Sequence, residues 1–203
     1  LALMGRNGAG KSTLLKLISG QLSSSIGNIS VHGKDPAKLN GKELVNLIGF
    51  VPQEPADLFY GSTVQQECNM ADSDNNLAVN TTLKTLRSLS SQINEDLHPR
   101  DLSEGQKLTL AISIVLATNP KILILDEPTR GLDYQAKDVL VSILRKLSKG
   151  GTTIIMATHD VELVAEFATR VIVLADGDLI TDGSTLEVLT ASPAFAPQMA
   201  KVF

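Results

Sequence analysis

The chain of 203 residues contains one cysteine, no tryptophan, only 3% aromatic residues and no excess of positive charge. The lone Cys68 has no partner in the chain, which excludes an internal disulfide framework and agrees with a reducing compartment. Its expected place is that of a small, half-buried apolar side chain. The longest apolar runs, Ile122 to Leu125 and Val171 to Ala175, fall far short of the ~20 residues that span a bilayer, so membrane association is expected only through a partner. With 18 Lys and Arg against 22 Asp and Glu the net charge is -4, which argues against a nucleic-acid partner, because affinity for a phosphate backbone comes from clustered cations. Internal repeats and low-complexity tracts are absent too.

What is present is 43% hydrophobic residues, enough for the core of one domain, arranged as short apolar runs alternating with helical patterns. That alternation is the sign of βαβ units and an α/β fold with a mostly parallel sheet flanked by helices. Leu1 to Met4 reads as a strand end, and Lys11 to Ser19 as a helix with Leu14, Leu15, Leu17 and Ile18 inward and Gly20 as its stop. Ile29 and Val31, alternating between Gly27 and Gly33, predict a half-exposed strand in a small antiparallel element. Ile48 to Val51 is a further strand closed by Pro52. Thr63 to about Asn94 is a partly helical subdomain interrupted by the polar stretch Ala71 to Asn76. Ser103 and Gln106 form a capping box at the start of a strong helix that ends before Pro120. Ile122 to Leu125 is apolar throughout, as a strand covered on both faces requires. Tyr134 to Leu147 and Val161 to Ala168 read as helices and Thr152 to Ala157 and Arg170 to Leu174 as strands. Asp176-Gly177 is a hairpin turn, and Ser184 with Glu187 caps a last short helix.

Two segments carry chemistry. Gly5-Arg6-Asn7-Gly8-Ala9-Gly10-Lys11-Ser12, followed by Thr13, fits the P-loop pattern and lies between a strand and a helix start. Its glycines let successive backbone N–H groups and the positive helix end cradle phosphates, with Lys11 reaching the terminal phosphates and Ser12 ligating Mg²⁺. The apolar strand Ile122 to Leu125 ends in Asp126 and Glu127, placed to hold Mg²⁺ and to orient or deprotonate an attacking water, respectively. A buried strand rarely ends in two like charges without a cation.

Leu102-Ser103-Glu104-Gly105-Gln106 resembles the LSGGQ signature of ATP-binding cassette (ABC) ATPases, and it lies shortly before the Asp-Glu strand as it does in that family. The resemblance implies ATP and Mg²⁺ as cofactors and a head-to-tail dimer with a second ABC ATPase domain. In it the signature of one domain, here Ser103, Gly105 and Gln106, closes on ATP held by the phosphate loop of the other. Glu104 stands where the family usually has Gly, and its carboxylate is expected to point away from the phosphates. Gln53 matches the Q-loop glutamine, implied to contact the metal and water. Asp133, in Gly131-Leu132-Asp133, matches the D-loop that touches the opposite protomer. His159, in Ala157-Thr158-His159-Asp160, matches the switch histidine implied to position Glu127.

The family reading makes the chain a single nucleotide-binding domain lacking its first strands and the aromatic that stacks on adenine. Residues 1–62 and 119–190 would form the ATP-binding core, 63–118 a helical signature subdomain and 191–203 a tail. Pro55-Ala56-Asp57-Leu58-Phe59, the Leu-Ser-Glu-Gly-Gln variant with His98 to Asp101 before it and Thr129 to Tyr134 after, and the Ser192 to Gln198 tail resemble energy-coupling-factor ATPases, in particular the C-terminal half of fused double ATPases. The implied function is an ATP-hydrolysing motor of a vitamin or transition-metal-ion importer. It would sit on the cytoplasmic face of the membrane against a transmembrane subunit, with a second ATPase domain as its partner, separate or fused upstream. A soluble non-transport ABC ATPase and a catalytically degenerate nucleotide-binding half-site are the alternatives.

Overall fold

Strands and helices alternate in the computed structural model, which describes residues 1–90 and 92–191. In chain order they are β1 (Ala2–Met4), α1 (Lys11–Ile18), α2 (Gly41–Leu47), β2 (Ile48–Val51), α3 (Val64–Asp74), α4 (Thr81–Leu89), α5 (Glu104–Leu116), β3 (Ile122–Asp126), α6 (Tyr134–Lys149), β4 (Thr153–Ala157), α7 (Val161–Phe167), β5 (Arg170–Ala175), β6 (Asp178–Ser184) and α8 (Thr185–Ala191). The described residues divide into two compact units, one of 1–39, 124–129 and 154–191, the other of 40–90, 92–123 and 130–153.

In the first unit the strand order is β3, β4, β1, β5, β6. β1 lies parallel to both neighbours, with Ala2 opposite Met156 of β4 and Val171 of β5. Every residue of β1 and of β3 is buried, as strands covered on both faces must be. The antiparallel component is the β5–β6 hairpin, in which Arg170 faces Ser184 and Ala175 faces Asp178. Asp176 and Gly177 turn it with φ of 49° and 89°, the positive pair that a tight hairpin turn requires. The antiparallel strand expected over Gly27 to Gly33 does not form. Only Val31 and Lys34 pair, in one isolated bridge, and Gly27 and Gly33 take φ of 82° and 77°, which turns the backbone out of the extended region. Along α1 Leu15 alone of the four expected apolar residues is fully buried, while Leu14, Leu17 and Ile18 are half-buried. Gly20 ends that helix at a close approach, since a Cβ there would stand 2.6 Å from the Pro36 carbonyl oxygen.

In the second unit α3, α4 and α5 enclose a core of Val64, Cys68, Leu83, Leu86, Ile93, Leu102 and Leu110. Cys68 is fully rather than half-buried, and that burial pushes its thiol up to about 12, leaving it inert at neutral pH. The interruption expected over Ala71 to Asn76 falls later, between α3 and α4, because α3 continues through Asp74 and α4 begins at Thr81. Asp72 is turned inward, where its carboxylate accepts hydrogen bonds from Thr81 N (3.0 Å), Thr82 N (2.9 Å) and Thr82 Oγ1 (2.7 Å) at the start of α4. A helix absent from the sequence reading, α2, is capped by Asn40, whose side-chain oxygen accepts from Glu43 N at 2.9 Å.

Candidate functional site: a phosphate loop facing paired carboxylates

The loop from Gly5 to Gly10 closes on itself through a hydrogen bond from Ala9 N to Arg6 O at 3.1 Å. Gly5, Gly8 and Gly10 have φ of 150°, 85° and 95°, and a Cβ on Gly5 would lie 2.3 Å from the Leu174 carbonyl oxygen, so no other residue fits there. Arg6, Asn7 and Gly8 are exposed, Ala9 is buried, and α1 opens at Lys11 with no side-chain cap and no acidic residue in its first turn. A helix left without a cap keeps orphan N–H groups at its positive end, which suits an anion. Lys11 is only 6% exposed, and its Nζ donates to Gly5 O (2.8 Å) and Arg6 O (3.3 Å). Ser12 is half-buried and Thr13 exposed on the same first turn.

Facing this loop in the same unit is the end of β3. Glu127 lies 3.6 Å from Lys11 Nζ through Oε1, while its Oε2 pairs with His159 Nδ1 at 2.8 Å. The carboxylate is nearly buried and the imidazole 71% exposed, so the pair spans from the interior to solvent. Glu127 takes φ of 49°, and its N–H donates to Ala157 O at 2.8 Å, which ties the turn after β3 to the end of β4. His159 is held in turn by Thr158, whose N–H donates to Leu3 O and whose hydroxyl accepts from Asp160 N, each at 3.0 Å. Asp160 caps α7 through Leu163 N at 3.0 Å.

Burial pushes the Asp126 carboxyl above its usual range, opposed by a hydrogen bond from Ser12, reinforced by the Glu127 charge, and opposed again by Lys11 and Lys16. Among the described residues Asp126 Oδ1 is the one buried side-chain polar atom without a hydrogen-bond partner. An orphaned carboxylate oxygen beside a serine hydroxyl is an oxygen donor set that suits Mg²⁺. The residues present therefore fit the cation, and Ser12 and Asp126 are the ones that would hold it.

The remaining sequence-predicted residues belong to the second unit. Gln53 is exposed just past β2. Ser103 caps α5 with both halves of the capping box formed, accepting from Gln106 N at 3.3 Å while Gln106 Oε1 accepts from Ser103 N at 3.0 Å. Asp133 caps α6 through Ala136 N at 2.8 Å, a helix-capping role the sequence reading did not assign to it. Ser103, Gly105, Gln106, Asp133 and Ala136 line one cavity of about 200 Å³, where the two helix starts meet. Gly105 permits that meeting, since a Cβ on it would be 2.8 Å from the Ala136 Cβ. Two contacts escaped the sequence reading. Arg130 pairs with Glu54, next to Gln53, which no local spacing announces. Lys107 pairs with Glu104, and that one was readable from i,i+3 spacing. The Ser192 to Gln198 resemblance lies outside the described residues.

Comparison with known proteins gives this geometry a family. The profile described as "ABC transporter" matches residues 1–130. A putative ABC transporter ATP-binding protein of Streptomyces coelicolor is 53% identical over 202 residues, covering 100% of this chain and 36% of the relative. The chain thus spans about a third of that relative's length. The energy-coupling factor transporter ATP-binding protein EcfA of Methanothermobacter thermautotrophicus is 35% identical over 195 residues, 93% of this chain and 62% of its own. Among solved structures, cbiO1 of Clostridium perfringens, described as part of the ABC transporter complex cbiONQ, superposes with TM-score 0.83 at 32% identity over 99% of this chain and 82% of its own. The ATP-binding cassette MJ0796, dimeric with ADP and Pi in a post-hydrolysis state, does so with TM-score 0.79 at 26% identity over 91% and 84%. The chain belongs to the ABC transporter family as an ATP-binding cassette ATPase domain that resembles the energy-coupling-factor ATPases.

Proposed function

We propose that the chain is the ATP-binding and ATP-hydrolysing motor of an ABC importer of energy-coupling-factor type, serving a vitamin or a transition-metal ion. The observation that carries the reading is the meeting, in one unit, of an uncapped helix start and Lys11 with an orphaned Asp126 oxygen and a Glu127–His159 pair. Gly5 to Gly10 and the first turn of α1 wrap the phosphates, and Lys11 leaves the Gly5 and Arg6 carbonyls to meet the terminal ones. Ser12 and Asp126 would hold Mg²⁺. That ion neutralises charge on the terminal phosphates when bound. Glu127 orients water and accepts its proton, and His159, anchored by Thr158, fixes the Glu127 carboxylate. Ser103, Gly105, Gln106 and Asp133 present a second pair of helix starts to the nucleotide of a facing cassette.

The formed Glu127–His159 pair argues against a degenerate half-site. The transport role, the energy-coupling-factor type and further subunits of a transporter complex are supported by the descriptions of EcfA and cbiO1, and a second cassette by that of dimeric MJ0796; a transmembrane partner and a place on the cytoplasmic face of a membrane follow from the transport reading. Among the described residues no helix is long and apolar enough to cross a membrane. Equilibrium titration of ATP with Mg²⁺ against the full chain and its Lys11→Ala variant tests the site. Removing the lysine should weaken binding by about tenfold or more, since a charge-assisted contact to phosphate is lost. Equal affinity would remove Lys11 from the site.

A further inference from the structure

Glu104 is the one position at which the signature segment departs from the family pattern, and it places a carboxylate on the first residue of α5. Its Oε1 accepts from Lys107 Nζ at 2.8 Å. The lysine side chain is laid against the protein, 17% exposed, while the glutamate is 47% exposed. The glutamate stem rests beside Gly131, because a Cβ on Gly131 would come 3.4 Å from Glu104 Cγ. Glu104 is thus held between its own helix and the 131–133 turn, and Lys107 fixes the charged end.

An exposed pair at this spacing contributes little to stability. Its consequence is electrostatic. The starts of α5 and α6, capped by Ser103 and Asp133, meet in one cavity. On the functional reading above, on which this inference rests, the phosphates of a facing cassette's ATP arrive there. An uncompensated carboxylate in the first turn of α5 favours the helix but repels a polyanion approaching the same N–H groups. Lys107 cancels that charge. We propose that Lys107 is a positioning residue for the signature tip, holding Glu104 back and neutralised so that the Ser103 helix start can accept the phosphates of a facing cassette.

The test measures Mg²⁺-ATP-driven association of the full chain by light scattering in the slowly hydrolysing Glu127→Gln background. Lys107→Ala should raise the ATP concentration needed by roughly tenfold at low ionic strength, the order expected for one unscreened charge at this range. The effect should shrink above 0.15 M salt, where the screening length is about 8 Å. Adding Glu104→Gln to Lys107→Ala should restore association, and Lys107→Arg should resemble its parent. Lys107→Ala associating like its parent overturns the inference alone. A defect that Glu104→Gln does not relieve also overturns it, because the lysine would then act on the phosphate or on the fold directly. A parent that does not associate with ATP removes the functional reading and the inference together.

Discussion

At Asp126 and Glu127 the chain accepts local costs that no packing argument requires. Glu127 holds φ of 49°, a left-handed conformation that costs a side chain of this kind on the order of 1 kcal/mol or more, and it does so where the carboxylate meets Lys11 and His159. Asp126 is buried with one oxygen unpaired and its carboxyl raised above the usual range. For an acid whose pKa rises on folding, stability is greatest below the unfolded value, near 4, and is lost as pH climbs through the raised folded value. Burial thus makes the charged form of Asp126 a cost to the ligand-free protein. Asp126→Asn should raise its melting temperature at pH 7, because the buried charge is removed, while abolishing stabilisation by Mg²⁺ with nucleotide. Melting curves with and without Mg²⁺-ADP check both halves. Gly5→Ala should have the opposite sign, losing about 2 kcal/mol or more in urea unfolding, because its Cβ has no room beside Leu174 O and its φ is unfavourable.

Among the elements, those with strong local signals were readable from sequence and those fixed by distant partners were not. The capping box at Ser103 and Gln106, the apolar run Ile122 to Leu125 of β3 and the Asp176-Gly177 turn each announce themselves within a few residues. The Gly27 to Gly33 alternation has a strand's period but finds no strand to pair with among the described residues, and period alone makes no ladder. Asp72 has the composition of a loop residue, yet it is buried under α4 by three hydrogen bonds from residues nine and ten positions away. In the candidate site the loop, the carboxylates and the histidine were legible because each motif is short. The Arg130–Glu54 and Glu127–Lys11 pairs depend on tertiary approach and were not. Asp72→Ala tests the element-scale account. It removes the acceptor of the buried Thr82 N–H and hydroxyl, while Thr81 N–H keeps Ala78 O, and should cost about 2–3 kcal/mol, read as a lower urea midpoint with an unchanged slope.

For the whole molecule, the phosphate loop, Glu127 and His159 lie in one compact unit, and Gln53 with the signature tip in the other. A ligand that binds only the folded state stabilises it by mass action. Mg²⁺-ADP at a hundred times its Kd should add about 2.7 kcal/mol. That corresponds to roughly 5–11 °C of melting temperature, lost in Lys11→Ala. The most direct measurement of the central claim pairs steady-state ATP turnover with ATP-driven association in Glu127→Gln. The account predicts that turnover falls by a factor of about 100 or more, the scale of a lost general base, while ATP still drives association. Turnover equal to that of the parent chain would contradict it.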